Sequence, residues 1–184
     1  MNFNNHSELE GQHAFLSPSK YHWINYDPPR LDTTYRNFLA VQKGIELHDF
    51  ACHCIKLNQK LPKSKKTVNL YVNDAVGFRM TPEQVLYYSD NAFGTADSIS
   101  FRENFLRIHD LKTGKSTVSM HQLEIYVALF CLEYDVSPFE ISIELRIYQL
   151  DEILVHSPEP EDIRKIMDKI ILFDKLIEKA KMEE

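Results

Sequence analysis

A chain of 184 residues with 43% hydrophobic and 26% charged residues holds enough apolar side chain for one globular core, and its 5 glycines are too few for a loop-dominated or low-complexity protein. The formal net charge of −6 opposes broad attraction to a polyanion, so any contact with one must come from a local basic patch. Cys52, Cys54 and Cys131 are odd in number and lack CxxC spacing, which argues against a disulfide framework or a zinc ribbon; all three read as buried thiols.

The first residues, Met1 to Gly11, are polar and lack the basic start and apolar core of a secretory signal, and no apolar run reaches membrane-spanning length. The expectation is a cytoplasmic protein without membrane contact, folded as a single domain over residues 1–184 with a flexible tail at 1–14. Ser17-Pro18 predicts a short helix over Ser19 to Asn25, stopped by Pro28-Pro29. A longer helix is predicted from Thr34 to Leu57, with Gly44, His48, Ala51 and Ile55 on one inward face. Pro62 ends that region, and Lys66 to Phe78 reads as a third helix.

Strands are predicted over Val85 to Tyr88, Gly94 to Arg102 and Phe105 to Thr113, separated by Ser-Asp-Asn and Glu-Asn turns. Helical spacing returns from Ser119 to Tyr134, with Gln122, Ile125, Tyr126, Leu129 and Phe130 along one face. A strand over Phe139 to Tyr148 turns near Leu150-Asp151 into Ile153 to Val155. The final helix starts near Pro158, and Ile163, Ile166, Ile170, Phe173 and Ile177 form its stripe. The predicted class is α/β, a central mixed β-sheet flanked by helices.

Strand alternation places Thr95, Asp97, Ile99 and Phe101 on one face and Leu106, Ile108, Asp110 and Lys112 on another. Three charges in aliphatic company imply a metal, mutual pairing, or an open sheet end, because an unpartnered buried ion is costly. A structural Asp–Lys pair at a strand end accounts for the same residues. The chemical alternative is phosphodiester hydrolysis: carboxylates hold Mg²⁺ or Mn²⁺, and a nearby lysine orients the water or stabilises developing charge.

These residues lie in four motifs that, in order, resemble the RecB-type branch of the PD-(D/E)XK nucleases, a branch with many phage and recombination exonucleases. Gly44-Ile-Glu-Leu-His48 resembles the helical GxxxH motif, Gly94-Thr-Ala-Asp97 the first acidic strand, Asp110-Leu-Lys112-Thr-Gly114 the DxKTG strand, and Gln122-Leu-Glu-Ile-Tyr126 the QLxxY helix. Leu16-Ser-Pro-Ser19 resembles the LSxS start of several relatives.

The resemblance implies a restriction-endonuclease-like core and a metal-dependent DNA nuclease, of phage-exonuclease type, acting in recombination, repair or replication. It implies that Asp97, Asp110, His48 and the Leu111 carbonyl bind Mg²⁺ or Mn²⁺, that Lys112 acts on the water, and that Gln122 and Tyr126 support the site or the DNA backbone. Ile45 departs from the small polar residue that many relatives carry after the motif glycine. The cysteine cluster that holds an iron–sulfur group in some relatives is absent, so no such cluster is expected.

Lys60, Lys63, Lys65 and Lys66 are the candidate DNA-contact patch, or else a solvated surface. Glu46 competes with His48 as the acid of the first helix but lies on its opposite side. His53, His109, His121 and His156 lack zinc-site spacing. Two other readings stand beside the nuclease: a catalytically idle nuclease fold that binds DNA or regulates, and a subunit of a larger recombination complex, partnered by another protein or by copies of itself.

Overall fold

The computed structural model describes Asn5, Ser7–Leu9 and residues 11–183. The chain divides into two compact units, Met1–Lys43 and Gly44–Glu184.

In the first unit, 3-10 turns cover Ser7–Leu9 and Pro18–Asn25, and helix α1, Pro28–Lys56, begins. The tail expected at 1–14 falls partly outside the described residues. Pro18 opens its helix as predicted. Pro28 and Pro29 both end that helix and start the next, so α1 begins six residues before the predicted Thr34. The Asp27 carboxylate accepts from the Arg30 N–H at 2.8 Å, capping a first turn whose prolines have no donors to leave unsatisfied.

The second unit holds the rest of α1, then α2 (Thr67–Gly77), β1 (Thr81–Ser89), β2 (Ala92–Arg102), β3 (Phe105–Leu111), α3 (His121–Glu133), β4 (Ser142–Gln149), β5 (Glu152–His156) and α4 (Pro160–Met182). The five strands lie in the order β1-β2-β3-β4-β5; β3 and β4 are parallel and every other pair is antiparallel. The parallel pair is joined through α3, as a parallel connection requires a crossover. The Glu103-Asn104 and Leu150-Asp151 pairs both adopt positive φ, as two-residue hairpin turns between twisted strands demand.

The class is α/β, a five-stranded mixed sheet flanked by helices. On one face, Ala51, Cys54 and Ile55 of α1 and Tyr71, Val72 and Ala75 of α2 pack with Leu111 and Tyr148. On the other, Leu123, Val127 and Phe130 of α3 and Ile163 of α4 pack with Leu106, Ile108, Leu145 and Ile147. Cys52, Cys54 and Cys131 are buried free thiols, as expected. No helix among the described residues is long and apolar enough to cross a membrane.

Four further predicted boundaries or faces shift. β1 runs four residues further back, through Pro82, which an edge strand tolerates because one of its sides needs no ladder donor. β4 starts at Ser142 rather than Phe139, which stays 54% exposed. The buried residues of α3 are Leu123, Val127, Ala128, Leu129, Phe130 and Cys131, while Ile125 of the predicted stripe is 44% exposed. The helix is apolar almost all round, so spacing alone does not select its buried face. In α4, Ile163, Ile166 and Ile170 pack on the core, but Phe173 and Ile177 remain exposed.

Candidate active site

The site grows out of a fault in the sheet. The β2–β3 ladder runs from Arg102↔Phe105 to Ser98↔His109 and stops there. On the other side of β2, Pro82↔Ser98 and Gln84↔Ala96 pair, but Glu83 and Asp97 between them do not. Glu83 sits at φ +52°, a left-handed conformation that costs a non-glycine residue energy and that clusters at functional sites. Ala96 and Ile99 both pack into the α3-side core, which strict alternation forbids for residues three apart. The predicted common face of Thr95, Asp97, Ile99 and Phe101 is therefore broken at Asp97.

The break gives Asp97 a backbone partner. The Leu111 N–H at the end of β3 donates to Asp97 Oδ2 at 2.8 Å. His48 on α1 approaches the same oxygen, with Nδ1 at 3.6 Å. One turn earlier, Gly44 is buried where a Cβ would lie 2.8 Å from Thr113 Oγ1, so the glycine lets the helix come close to the chain leaving β3. Glu46 points to solvent, as expected.

His48, Glu83 and Asp97 each bring a ligand atom within 4.8 Å of the others, the one such group of three among the described residues. Asp110 lies outside this set but close beside it: its charge raises the Asp97 pKa, and His48 lowers its own. Glu83 is the residue that sequence reasoning missed. It lies opposite Asp97 only because of a one-residue irregularity between Tyr87 and Ser89 in the β1–β2 pairing.

Asp110 is 3% exposed at the end of β3. Lys112 Nζ stands 3.0 Å from both of its oxygens but meets hydrogen-bond geometry only with Oδ1, leaving Oδ2 buried in ionic contact without a hydrogen bond. The same ammonium donates to Gln122 Oε1 at 2.9 Å, and the Gln122 amide reaches Tyr126 Oη at 3.4 Å. Tyr126 Oη donates to the Thr95 carbonyl at 2.6 Å. A Cβ at Gly94 would lie 2.9 Å from Tyr126 Cε1, so this glycine is the seat for the ring. Lys112, Gln122, Tyr126 and Gly94 thus form one connected set.

Burial drives both aspartates toward the protonated form. Asp97 is pushed up to about 6, first by burial and then by the Asp110 charge, against the Leu111 N–H and His48. Asp110 is also raised by burial, with Lys112 and then His48 opposing. Two carboxylates raised by burial, one of them also by the other's charge, a buried carboxylate oxygen lacking a hydrogen bond and an adjacent imidazole fit a divalent cation of the Mg²⁺ or Mn²⁺ kind. A cleft of about 370 Å³ adjoins Lys112, lined by Ser116, Thr117, Ser119, Gln122 and Gln149.

Leu111 is buried at the same strand end. Lys60, Lys63, Lys65 and Lys66 are all exposed on the segment between α1 and α2. That segment leads to Thr67, whose N–H and hydroxyl bond Asp151 Oδ1 at 2.8 and 2.9 Å in the turn just beyond β4, so Lys66 lies at the carboxyl end of the parallel strands. The other histidines stand apart: His53 bonds the Asp49 carbonyl, His121 and His156 flank Glu124, and His109 packs against Tyr148.

No protein-family model matches the chain, and neither a curated protein nor a solved structure does.

Proposed function

We propose that the chain is a metal-dependent DNA nuclease of the PD-(D/E)XK kind, hydrolysing phosphodiester bonds as a phage-type exonuclease in recombination, repair or replication. The observation that carries this reading is the convergence at the carboxyl end of β3. Lys112 is held 3.0 Å from buried Asp110, while Asp97, His48 and Glu83 arrive from β2, α1 and β1. A structural Asp–Lys pair alone leaves the raised Asp97, the strained Glu83 and the adjoining cleft without a purpose.

Asp97, His48, Glu83 and Asp110 would hold Mg²⁺ or Mn²⁺. When bound, such an ion supplies positive charge to the phosphoryl oxygens and makes a water more acidic. Asp97 is aimed by the Leu111 N–H, which fixes one carboxylate oxygen. Asp110 Oδ2 keeps a lone pair free of hydrogen bonds. Lys112, steered by Gln122, presents its ammonium beside these groups, where it orients the attacking water and stabilises charge that develops in the transition state. Gln122 and Tyr126 act by positioning, and Lys60, Lys63, Lys65 and Lys66 offer an exposed basic segment to the DNA backbone.

Incubation of the intact chain with end-labelled single-stranded and duplex DNA in Mg²⁺, Mn²⁺ or EDTA tests this reading. Cleavage that requires the metal and disappears in Asp110→Asn is the expected result. Retention of DNA without cleavage under every metal condition would favour the idle nuclease fold instead.

A further inference from the structure

Residues 11–43 differ in character from the chain as a whole. They carry Lys20, Arg30, Arg36 and Lys43 against Asp27 and Asp32, within a chain of net charge −6, and they include its sole tryptophan, Trp23. A cleft of about 230 Å³ lies inside this unit, lined by His13, Phe15, Lys20, Trp23, Tyr26 and Phe38. A closed aromatic mini-core has no use for a lysine and a histidine in its wall.

The polar edges of this cleft are already arranged. The Trp23 indole N–H donates to the Ser17 carbonyl at 3.0 Å, so the ring is fixed and what it still offers is its π surface. The Arg30 guanidinium lies 4.5 Å from the Tyr26 ring centroid. Arg36 is engaged by Asp32 at 2.7 Å, whereas neither Lys20 nor Arg30 is ion-paired among the described residues. Ring faces beside unpaired cations match a ligand with a flat heterocycle and an adjacent negative charge.

We propose that this cleft binds an unpaired base of single-stranded nucleic acid, stacked on the Trp23 ring beside Tyr26, with flanking phosphates neutralised by Lys20 and by Arg30, which caps the Tyr26 ring. A duplex buries its base faces and cannot enter. The choice of a nucleic acid, rather than another anionic heterocycle, rests on the phosphodiesterase reading of the Asp97–Asp110–Lys112 site.

Because Trp23 is the only tryptophan, its fluorescence reports on the cleft directly. The intact chain is titrated in EDTA with oligo(dT), oligo(rU), an abasic phosphodiester oligomer of equal length and a blunt duplex. Quenching by dT, with rU showing whether the sugar matters, and none by the abasic oligomer or the duplex, is expected. Lys20→Ala with Arg30→Ala, both at exposed positions, should weaken dT binding about tenfold or more. The slope of log affinity against log salt should fall by about 0.7 for each phosphate contact removed.

No quench by dT, an equal quench by the abasic oligomer, or unchanged affinity in the double variant would overturn the proposal. So would concentration-dependent self-association that alone accounts for the Trp23 signal, which assigns the cleft to a second copy. Cleavage by the parent in Mg²⁺ or Mn²⁺, set beside its quenching in EDTA, separates the two readings. A parent that cleaves DNA without quenching retires the cleft alone; a parent that quenches but cleaves nothing retires the nuclease and leaves the cleft standing.

Discussion

His109 and Asp110 are neighbours on β3, both buried, and they face two different polar environments. His109 is 0% exposed and sits against Tyr148 and Phe78. The groups around it are a closed set among themselves: Tyr148 Oη donates to Asp74 at 2.7 Å, Arg146 bonds Asp74 and Glu144 at 3.0 Å each, and Arg107 meets Glu144 at 3.2 Å, while the ring's own Nε2 is buried without a hydrogen bond. The histidine is held neutral, pushed down to about 3 by burial, then by Arg146 and Arg107. Asp110 instead joins carboxylates that disfavour one another, a strained Glu83 and a lysine beside an open cleft. Buried polarity alone therefore does not mark a site; what marks it is unresolved charge converging on an opening.

The largest expected effect lies on the Asp110 side. On the proposed nuclease reading, Lys112→Ala should lower DNA cleavage by about 100- to 1,000-fold, the range seen when a group stabilising transition-state charge is removed, while the fold persists. A variant that cleaves like the parent removes Lys112 from the mechanism. Asp110→Asn should also abolish cleavage, yet in EDTA its thermal midpoint should equal or exceed that of the parent, because a carboxylate raised by burial becomes a neutral isostere and its repulsion of Asp97 vanishes. A clear loss of stability without metal would instead make Asp110 a structural partner of Lys112.

The closed set on the other face should behave in the opposite way. Asp74→Ala leaves Tyr148 Oη and Arg146 without their shared acceptor, a loss of roughly 1–3 kcal/mol. Chemical denaturation should show that cost, and cleavage per folded molecule should stay at the parent level. Reduced turnover at full folding would show that the two regions are coupled through β3.

Gly94→Ala probes the boundary of the site. Its Cβ would lie 2.9 Å from the edge of a ring pinned by the Tyr126–Thr95 bond, so overpacking of about 1–3 kcal/mol is expected. Adding Tyr126→Leu should recover much of it, and the cycle should be non-additive. Gly44→Ala meets only a rotatable Thr113 hydroxyl, so its effect should be smaller. Equal effects at both glycines, read from thermal midpoints, would contradict this assignment of the ring as the rigid neighbour.

The contrast also explains what could be read from the amino-acid order. Asp110 was legible because alternation counted from Leu106 and Ile108 holds to the end of β3, and Lys112, one residue past the strand, still reaches the same side to meet Asp110 and Gln122. Gly44, His48 and Ala51 were legible because helical spacing is regular through α1. Glu83 was not, since its position opposite Asp97 depends on one irregular residue in the β1–β2 hairpin; a regular hairpin from Ser89↔Ala92 would place Gln84 there instead. The face of α3 was hidden for a different reason, its nearly uniform apolarity. The His109 set was invisible because Asp74, Arg107, Glu144 and Arg146 are ordinary surface residue types whose meeting depends on α2 packing against β3 and β4.

The smallest effect in the parent, and the one that sets the two regions directly against each other, is the dependence of stability on pH in EDTA. Asp97 has a folded pKa of about 6 against 3.8 for the free group, so between these values the folded state binds more protons and stability falls as pH rises. Asp110, also raised, acts in the same direction. His109 has a folded value of about 3 against 6.5, so the unfolded state binds more protons across that window and stability rises with pH. Each group contributes up to about 1.4 kcal/mol per pH unit, and between pH 4 and 6 the two signs oppose, flattening the profile of the parent. Asp97→Asn combined with Asp110→Asn should unmask the histidine, giving thermal midpoints that climb from pH 4 to 6.5. His109→Leu should unmask the carboxylates, giving midpoints that decline from pH 4 to 6. The same slope in both variants would mean that neither buried group titrates as its surroundings dictate, and the distinction between a closed polar set and an unresolved one would lose its energetic basis.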